Sequence, residues 1–272
     1  MKITDIEELR KIANNVRKNI VEYVYKAGSG HPGGSLSSAD ILTVLYFNQM
    51  NINEKDCKAL LRDRFVLSKG HCSIALYSIL AQRGFISESE LNGFRKIDGI
   101  LQGHPDMNKI TGVDMTTGSL GQGLSVANGM ALTSKINHDG YRVYCLLGDG
   151  EIEEGQIWEA AMTSSKYNLD NLCAIVDYNN LQINGTIKEV KGLDDIEGKF
   201  KSFGFNTIVV DGHNMQQLID GFETAKITKG KPTVIIAKTI KGKGISFMEN
   251  KAEWHGKAPN KEEYEKAIKE LS

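Results

Sequence analysis

Two short polar segments of the sequence each follow an apolar run. Gly148-Asp149-Gly150 comes directly after the run at residues 143–147, and Asn179-Asn180 closely follows the run at residues 172–176. An aspartate carboxylate and an asparagine amide supply oxygen ligands of the kind that Mg²⁺ and Ca²⁺ prefer. The glycines beside Asp149 would let the phosphate groups of a ligand approach the backbone closely. Either segment alone is more often a simple turn, so the interpretation depends on the pair.

The spacing of the two segments favours a common site. Asp149 and Asn179 lie 30 positions apart, which suits one strand–helix–strand unit, so the loops that carry them should meet at one edge of a parallel sheet. The backbone carbonyl of Leu181 and two diphosphate oxygens would bring the number of ligands towards the octahedral set that Mg²⁺ takes. The sequence therefore predicts a metal and diphosphate site with Asp149, Asn179 and Leu181 as protein ligands.

Four of the six histidines lie beside glycine or proline in loop-like segments, where a core histidine has no obvious structural role. They are His31, His71, His104 and His255. A lone histidine in such a segment is most often a solvated or hydrogen-bonded structural residue. A cluster of imidazoles, in contrast, suits a reaction that removes a proton from a hydroxyl group and later returns one. We therefore take these histidines as candidate catalytic residues.

The elements that must position these residues alternate between strand and helix. Apolar runs typical of buried strands lie at residues 65–67, 143–147, 172–176, 208–210 and 233–237, with helical patterns between most of them. This order predicts an α/β fold with a mostly parallel sheet and helices on both faces, whose ligands bind beyond the carboxyl ends of the strands.

The ends of several helices can also be predicted. A capping box at Thr4 and Glu7 should begin a long amphipathic helix that ends at Gly28. Asp211-Gly212-His213 is interpreted as a turn, with Asn214 capping the helix that follows. The lysine- and glutamate-rich stretch after Pro259 is expected to form a loosely held helix.

Composition excludes several functional classes. The chain has 272 residues, of which 40% are hydrophobic, and a formal net charge of -1. We expect one large domain over residues 1–272, with no overall field that favours nucleic acid or an anionic membrane. The four cysteines contain no Cys-x-x-Cys pair, which argues against zinc and a disulfide framework, so a reducing cytoplasm is the expected location. No apolar stretch approaches the ~20 residues of a membrane span, which argues against membrane insertion.

The metal-site segments resemble the diphosphate motif of thiamine-diphosphate enzymes, and further segments resemble transketolase signatures in that family's order. These further segments are Ser29-Gly30-His31-Pro32-Gly33-Gly34, Leu67-Ser68-Lys69-Gly70-His71, Gly103-His104-Pro105, residues 117–123, residues 238–244 and Trp254-His255-Gly256. The resemblance spans about residues 28 to 256. It implies the diphosphate domain of the thiamine-diphosphate-binding fold, with thiamine diphosphate and Mg²⁺ (or Ca²⁺) as cofactors.

The resemblance also implies roles for the histidines. His31 and His71 would contact sugar hydroxyls near the reactive carbon of the cofactor, and His71 would touch the cofactor as well. His104 would bind the first hydroxyl of the donor, and His255 would contact the diphosphate and the acceptor.

Further cofactor contacts follow from the same resemblance. The residues concerned are Gly118, Ser119, Leu120, Asp149, Gly150, Glu159, Asn179 and Lys241, in addition to His71 and His255. Glu154 would join a catalytic carboxylate network at a subunit interface. Alternatives remain open for some of them, because Lys241 suits a solvated lysine between glycines, residues 118–123 suit an ordinary helix start, and Glu154 suits a surface charge.

The implied activity is that of the N-terminal subunit of a split transketolase. Such an enzyme transfers a two-carbon ketol unit from a ketose (phosphate) donor to an aldose (phosphate) acceptor. Because the sequence ends at Ser272, the pyrimidine domain with its activating glutamate and the C-terminal domain are expected on a partner chain, in an α2β2 heterotetramer. Alternatives are the alpha-type subunit of a 2-oxo acid dehydrogenase, deoxyxylulose-phosphate synthase and a non-catalytic thiamine-diphosphate-binding regulatory module. The first of these leaves the histidines unexplained.

Overall fold

The computed structural model describes residues 2–57 and 59–272. The strands are β1 Arg64–Leu67, β2 Val143–Gly148, β3 Leu172–Tyr178, β4 Leu181–Gln182, β5 Gly185–Thr186, β6 Asn206–Asp211 and β7 Thr233–Lys238. A five-stranded parallel sheet has the order β1-β2-β3-β7-β6, and β4 and β5 form a small antiparallel hairpin. The predicted parallel sheet is confirmed, and each predicted strand lies within an observed one.

Helices cover both faces of the sheet. They are α1 Ile6–Ala27, α2 Pro32–Ser37, α3 Ala39–Val44, α4 Ser73–Arg83, α5 Gly123–Asn137, α6 Gly155–Lys166, α7 Ile187–Val190, α8 Ile196–Ser202, α9 Met215–Ile227 and α10 Lys261–Glu270. A π-helical turn, Leu45–Gln49, continues α3, and short 3₁₀ turns lie at Gly70–Cys72, Glu151–Glu153 and Ala252–His255. In residues 2–57 and 59–272, no helix combines the length and apolar character needed to cross a bilayer.

Each face of the sheet supports its own hydrophobic cluster. Leu146 of β2 packs with α1, α3, α4 and α9, whereas its neighbours Cys145 and Leu147 pack with α5, α6 and α8 on the other face. Successive side chains of a strand point to opposite faces. A strand covered on both sides is therefore mostly apolar at successive positions, which is why β2 and β3 contain unbroken apolar runs at residues 143–147 and 172–176.

Helix α1 begins one residue later than the predicted capping box implies. Asp5, rather than Thr4, is the N-cap, and its carboxylate accepts a hydrogen bond from the backbone N–H of Glu7 at 2.9 Å. The prediction of a Thr4–Glu7 capping box is therefore wrong, because an aspartate placed one position further on satisfies the free N–H groups of the first turn. The predicted end is confirmed, since Gly28 adopts a left-handed conformation with φ 60°.

The expectation of a loosely held helix after Pro259 is also wrong. Ala267 and Leu271 are buried, and Tyr264 of α10 stacks on Tyr25 of α1 with ring centroids 4.4 Å apart. The side-chain amide of Asn14 donates to the carbonyl of Leu271 at 2.6 Å. Helix α10 is amphipathic, and its charged residues conceal an apolar stripe that packs on α1.

Candidate functional site

A cavity of about 380 Å³ opens at the carboxyl ends of β2, β3 and β7. Most of the residues predicted for the site line it. These are His31, His71, His104, Gly118, Leu120, Asp149, Gly150, Glu154, Asn179, Leu181, Lys241 and His255. Residues from widely separated segments of the sequence thus meet where the topology of an open α/β sheet predicts a ligand site.

Two predicted site residues lie outside this cavity. Ser119 is exposed in a neighbouring depression with Met115 and Gln122, beside the start of α5. Glu159 is exposed on α6, where it lines a groove with Ser125. Glu154 precedes α6 as its N-cap and lines the cavity, whereas Glu159 lies within the helix and lines the groove. A cofactor contact by Glu159 therefore stays a prediction.

The predicted metal ligands lie on adjoining loops. Asp149 Oδ1 accepts a hydrogen bond from the backbone N–H of Gly150 at 2.9 Å, and its Oδ2 accepts from that of Asn180 at 2.5 Å. Asn180 has φ 63°, a left-handed conformation that asparagine tolerates. Asn179 Oδ1 accepts from the backbone N–H of Leu181 at 3.2 Å. Asp149 therefore ties the two loops together.

No group of three His, Cys, Asp or Glu side chains in the described residues is arranged to hold a metal ion. A metal site at this edge would therefore depend on the amide oxygen of Asn179 and the carbonyl oxygen of Leu181 in addition to the carboxylate of Asp149. These are hard oxygen donors, which suit Mg²⁺ or Ca²⁺ rather than a softer metal.

Three of the histidines form a close triangle. The ring centroids lie 5.2 Å apart for His31 and His71, 5.4 Å for His31 and His255, and 5.2 Å for His71 and His255. Burial, with a smaller contribution from the Arg95 guanidinium, lowers the pKa of His31 to about 4. Burial and the Lys241 ammonium lower the pKa of His255 to about 3. At physiological pH these imidazoles are therefore neutral, and each can accept one hydrogen bond and donate another.

Burial and nearby cations also lower the pKa values of His71 and His104. Burial and the Lys69 ammonium lower the pKa of His71 to about 2, and burial together with Arg95 lowers the pKa of His104. The ring of His104 packs against Gly118, where a Cβ atom would lie 3.1 Å from the ring and where φ is 154°. Glycine is needed at this position for both reasons.

Lys241 is not a solvated lysine. Its side chain is buried, and its Nζ donates to the carbonyl of Leu181 and to Nδ1 of His255, both at 3.0 Å. Burial, and secondarily the Lys69 ammonium, lower the pKa of Lys241 to about 8. Within the described part of the chain, no carboxylate lies within salt-bridge distance of this ammonium.

A buried ion pair, whose Lys69 also lines the cavity, was not predicted from the sequence. Lys69 Nζ donates to Asp177 Oδ2 and, at 3.0 Å, to the carbonyl of Gly34. Ser37 Oγ donates to the same carboxylate oxygen at 2.6 Å. Burial alone would raise the pKa of Asp177, but the Lys69 ammonium reverses this and holds it below its usual range. A lone aspartate in an otherwise apolar strand was the available signal.

Glu151 was missed as well. It is buried, and its carboxylate accepts from the hydroxyl of Ser68 and from the backbone N–H groups of Gly121 at 3.0 Å and Gly148 at 2.9 Å. Burial raises its pKa. Glu151 thus joins the loop before α5 to the turn that carries Asp149.

Comparison with known proteins decides the family. The family model described as "Transketolase, thiamine diphosphate binding domain" matches residues 9–272. The chain belongs to the transketolase family. The predicted family and the likeness to the N-terminal subunit of split transketolases are confirmed by this match together with the relatives described next.

Two transketolase relatives have nearly the length of this chain. An apulose-4-phosphate transketolase subunit of Phocaeicola vulgatus is 44% identical over 267 residues, which cover 98% of this chain and 95% of the relative. The 6-deoxy-6-sulfo-D-fructose transketolase subunit SqwG of Clostridium sp. is 44% identical over 264 residues, covering 97% and 96% respectively.

A solved transketolase supports the same fold. The crystal structure of transketolase from Campylobacter jejuni superposes with a TM-score of 0.93 at 35% identity, covering 98% of this chain and 43% of that one. The chain thus spans less than half the length of this transketolase. The predicted fold class is confirmed.

The charges of the cavity suit the cofactor of this domain family. Burial, with repulsion from Asp177, raises the pKa of Asp149 to about 7, so a cation beside it would stabilise the carboxylate. An anion would likewise stabilise the charged form of Lys241, whose pKa is lowered by burial. A metal ion together with a diphosphate would meet both requirements, with the cation beside Asp149 and the anion beside Lys241.

Proposed function

We propose that this chain is the thiamine-diphosphate-binding subunit of a split transketolase. The observation that carries the proposal is the cavity that joins the Asp149 edge of the sheet to the neutral histidine triangle. The two relatives of similar length, both named as transketolase subunits, support it. Thiamine diphosphate, when bound, supplies the carbon nucleophile that takes up the two-carbon ketol unit.

The metal and the diphosphate would be held by this chain. Asp149, Asn179 and the carbonyl of Leu181 would coordinate Mg²⁺ or Ca²⁺. Lys241 would neutralise part of the diphosphate charge, and His255, which already accepts a hydrogen bond from Lys241, would lie beside it. Gly118, Leu120 and Gly150 would border the cofactor, because they line the same cavity.

The histidines would handle protons and orient the sugar. His31, His71 and His255 share one end of the cavity, and His104 lies against Gly118 at its wall. Each neutral ring can accept a hydrogen bond from one sugar hydroxyl and donate one to another, and a change in its surroundings on substrate binding would let it exchange a proton with that hydroxyl. This division of roles accounts for several imidazoles in one site, which an oxo-acid dehydrogenase subunit would not require.

A partner chain would complete the site. Helix α6 exposes Met162, which is 56% exposed, on the same helix as Glu159, and Glu154 precedes that helix. A single exposed apolar residue is common on a protein surface, so the partner itself is inferred from the two relatives that are named as subunits, and the α6 surface is proposed as its contact. We expect the partner to bring the pyrimidine domain and its activating glutamate, in an α2β2 heterotetramer.

The substrate would be a ketose donor and an aldose acceptor that carry an anionic group. The named relatives differ in that group, because one is named for a sugar phosphate and the other for a sulfo sugar. The assay should therefore compare xylulose 5-phosphate, apulose 4-phosphate and 6-deoxy-6-sulfofructose as donors, with ribose 5-phosphate as acceptor.

The deciding experiment measures ketol transfer by the chain alone and by the chain with its partner subunit, with thiamine diphosphate and Mg²⁺. We expect activity only in the mixture, and its loss when Asp149→Asn replaces the wild type. Activity of the chain alone would contradict the split enzyme. Silence with every donor, despite cofactor binding, would favour a regulatory module.

The partner surface can be tested separately. Met162→Glu should prevent co-purification with the partner subunit, because it places a charge in the contact. Ile227→Glu is a matched control, since Ile227 is 75% exposed at the end of α9, whose buried residues pack on the opposite face of the sheet. Equal loss of co-purification in both variants would remove the argument for the α6 surface.

A further inference from the structure

The Asp211-Gly212-His213 turn lies beside the loop that carries Lys241. Nδ1 of His213 lies 2.6 Å from Oδ2 of Asp40, and Nε2 of His213 lies 2.9 Å from the backbone nitrogen of Ile240. A backbone nitrogen can only donate, so Nε2 is the acceptor. Nδ1 therefore carries the hydrogen that Asp40 accepts, and the ring bridges a carboxylate and a backbone amide.

The carboxylate at one end of this bridge is itself fixed. Asp40 lies on α3 and is buried, and Arg17 of α1 donates to its Oδ2 at 2.5 Å. Arg17 is also buried. The orientation of the imidazole is therefore set by two helices of the layer that covers this face of the sheet.

The amide at the other end belongs to the residue before Lys241. Three consecutive residues of this loop form hydrogen bonds through their main chain. The N–H of Ile240 donates to His213, and the carbonyl of Lys241 accepts from the N–H of Asn250 at 2.9 Å. The N–H of Gly242 donates to the carbonyl of Gly33 at 3.0 Å. These contacts fix the path of the main chain from which the buried ammonium extends.

The turn approaches this loop too closely for any residue but glycine at its centre. A Cβ atom at Gly212 would lie 2.4 Å from Cγ2 of Thr239 and 3.1 Å from the carbonyl oxygen of Lys238. Gly212 N also donates to that carbonyl at 2.8 Å. The glycine thus permits the contact that brings His213 to Ile240.

We propose that His213 is a positioning residue for Lys241, which it holds against the diphosphate by fixing the backbone amide of Ile240. The inference rests on the proposed function, in which Lys241 binds the cofactor. His213 does not line the cavity, so it acts through the loop and touches neither cofactor nor sugar.

Two variants separate the halves of the bridge. In His213→Gln the longer amide side chain can place its oxygen where Nε2 lies, so it can still accept from Ile240. In His213→Asn the amide reaches the Nδ1 position and can still donate to Asp40, but it cannot reach Ile240. The free amide of Ile240 would then lack a partner in a partly buried loop, which is costly.

The first readout needs no cofactor. Hydrogen exchange of the Ile240 amide is measured in the full chain for the wild type, His213→Gln and His213→Asn. We expect exchange at least about tenfold faster in His213→Asn, which corresponds to about 1.4 kcal/mol of lost protection, and near-wild-type exchange in His213→Gln.

The second readout is calorimetric titration of the same proteins with thiamine diphosphate and Mg²⁺. We expect Kd to rise about tenfold in His213→Asn and to stay within about twofold of the wild type in His213→Gln. A role confined to fold stability would lower the unfolding temperature of His213→Asn without moving Kd.

Asp63→Asn is the matched control. Asp63 is buried before β1, at the opposite end of the sheet, and accepts from the backbone N–H groups of Asn51 and Arg142, both at 2.8 Å. Its loss should lower stability and leave Kd unchanged. An equal change of Kd in Asp63→Asn and His213→Asn, or equal weakening in His213→Gln and His213→Asn, would overturn the positioning role.

Failure of the underlying function gives a different result. If the wild type, with or without its partner subunit, binds no thiamine diphosphate, the cofactor site itself is refuted. If the wild type binds and Lys241→Met weakens that binding while His213→Asn does not, only the inference about His213 is refuted.

Discussion

Lys69 and Lys241 lie at the same edge of the sheet, and each exposes 2% of its surface. Lys69 is paired with the carboxylate of Asp177, which holds its pKa above the usual range even though burial works to lower it. Lys241 is bonded to a carbonyl and an imidazole, and its pKa falls to about 8. The first charge is compensated by a carboxylate within the fold, whereas no carboxylate of the described residues lies within salt-bridge distance of the second. Burial alone thus does not identify a binding residue, and the role proposed for Lys241 depends on burial without an opposite charge.

The largest effect expected from this comparison concerns Lys69. Lys69→Met leaves Asp177 buried without its cation, so the free energy of unfolding should fall by about 3–5 kcal/mol. Urea unfolding followed by circular dichroism would measure it. The double variant Lys69→Met/Asp177→Asn should recover part of the loss, since neither charge remains. A drop below about 1 kcal/mol in the single variant would show that the pair is not structural.

Lys241 should give the opposite pattern. Lys241→Met removes a charge that burial already disfavours, so the free energy of unfolding of the free chain should change by less than about 1 kcal/mol. The Kd for thiamine diphosphate and Mg²⁺ should rise about 100-fold, or about 2.7 kcal/mol. Unfolding and calorimetric titration on the same preparation would separate the two effects. An unchanged Kd would refute the role of Lys241 in the site.

The alkaline limb of the stability profile should also distinguish the lysines. Between pH 8 and 10.5 the unfolded chain retains the Lys241 proton that the folded chain has lost. Unfolding therefore takes up a proton, and the free energy of unfolding rises with pH by up to about 1.4 kcal/mol per pH unit. The Lys241→Met variant should lack this rise. The difference between the wild-type and Lys241→Met free energies of unfolding should therefore increase with pH over this range. A flat difference profile would contradict the lowered pKa.

The smallest effect concerns a surface pair that serves as a reference. Lys201 and Glu197 lie 2.6 Å apart on α8, with side chains 59% and 41% exposed. Lys201→Ala should change the free energy of unfolding by at most about 0.5 kcal/mol, because solvent screens the interaction. The same urea titration would show it. A loss comparable to that of Lys69→Met would mean that ion pairing, rather than burial, sets the size of the effect.

The sequence predicted well what is local or periodic. The apolar run at residues 172–176 of β3 is typical of a strand buried on both faces, and its position was predicted correctly. Asp149 and Asn179 follow adjacent parallel strands, and the topology alone brings them to one edge. The four histidines were predicted from the glycine and proline residues beside them. The close triangle of three rings could not be predicted, because separation along the sequence does not give the distance between side chains.

Contacts between distant segments could not be predicted in this way. Lys69 and Asp177 are 108 positions apart, and their pairing depends on β1, β2 and β3 lying side by side. The dense charge of α10 likewise conceals the apolar stripe that packs on α1. Glu159 illustrates a second limit of prediction from the sequence. A motif gives the position of a residue in the chain but not the direction of its side chain.

The order of the strands has a consequence for biosynthesis. In the described structure β6 pairs only with β7, which lies between it and β3. While the chain emerges from the ribosome, β6 appears before the strand that joins it to the sheet, and it has no partner until residues 233–238 have followed. The sheet of the described residues therefore cannot be completed until β7 has been synthesised, and β6 depends on a strand that follows it in the chain.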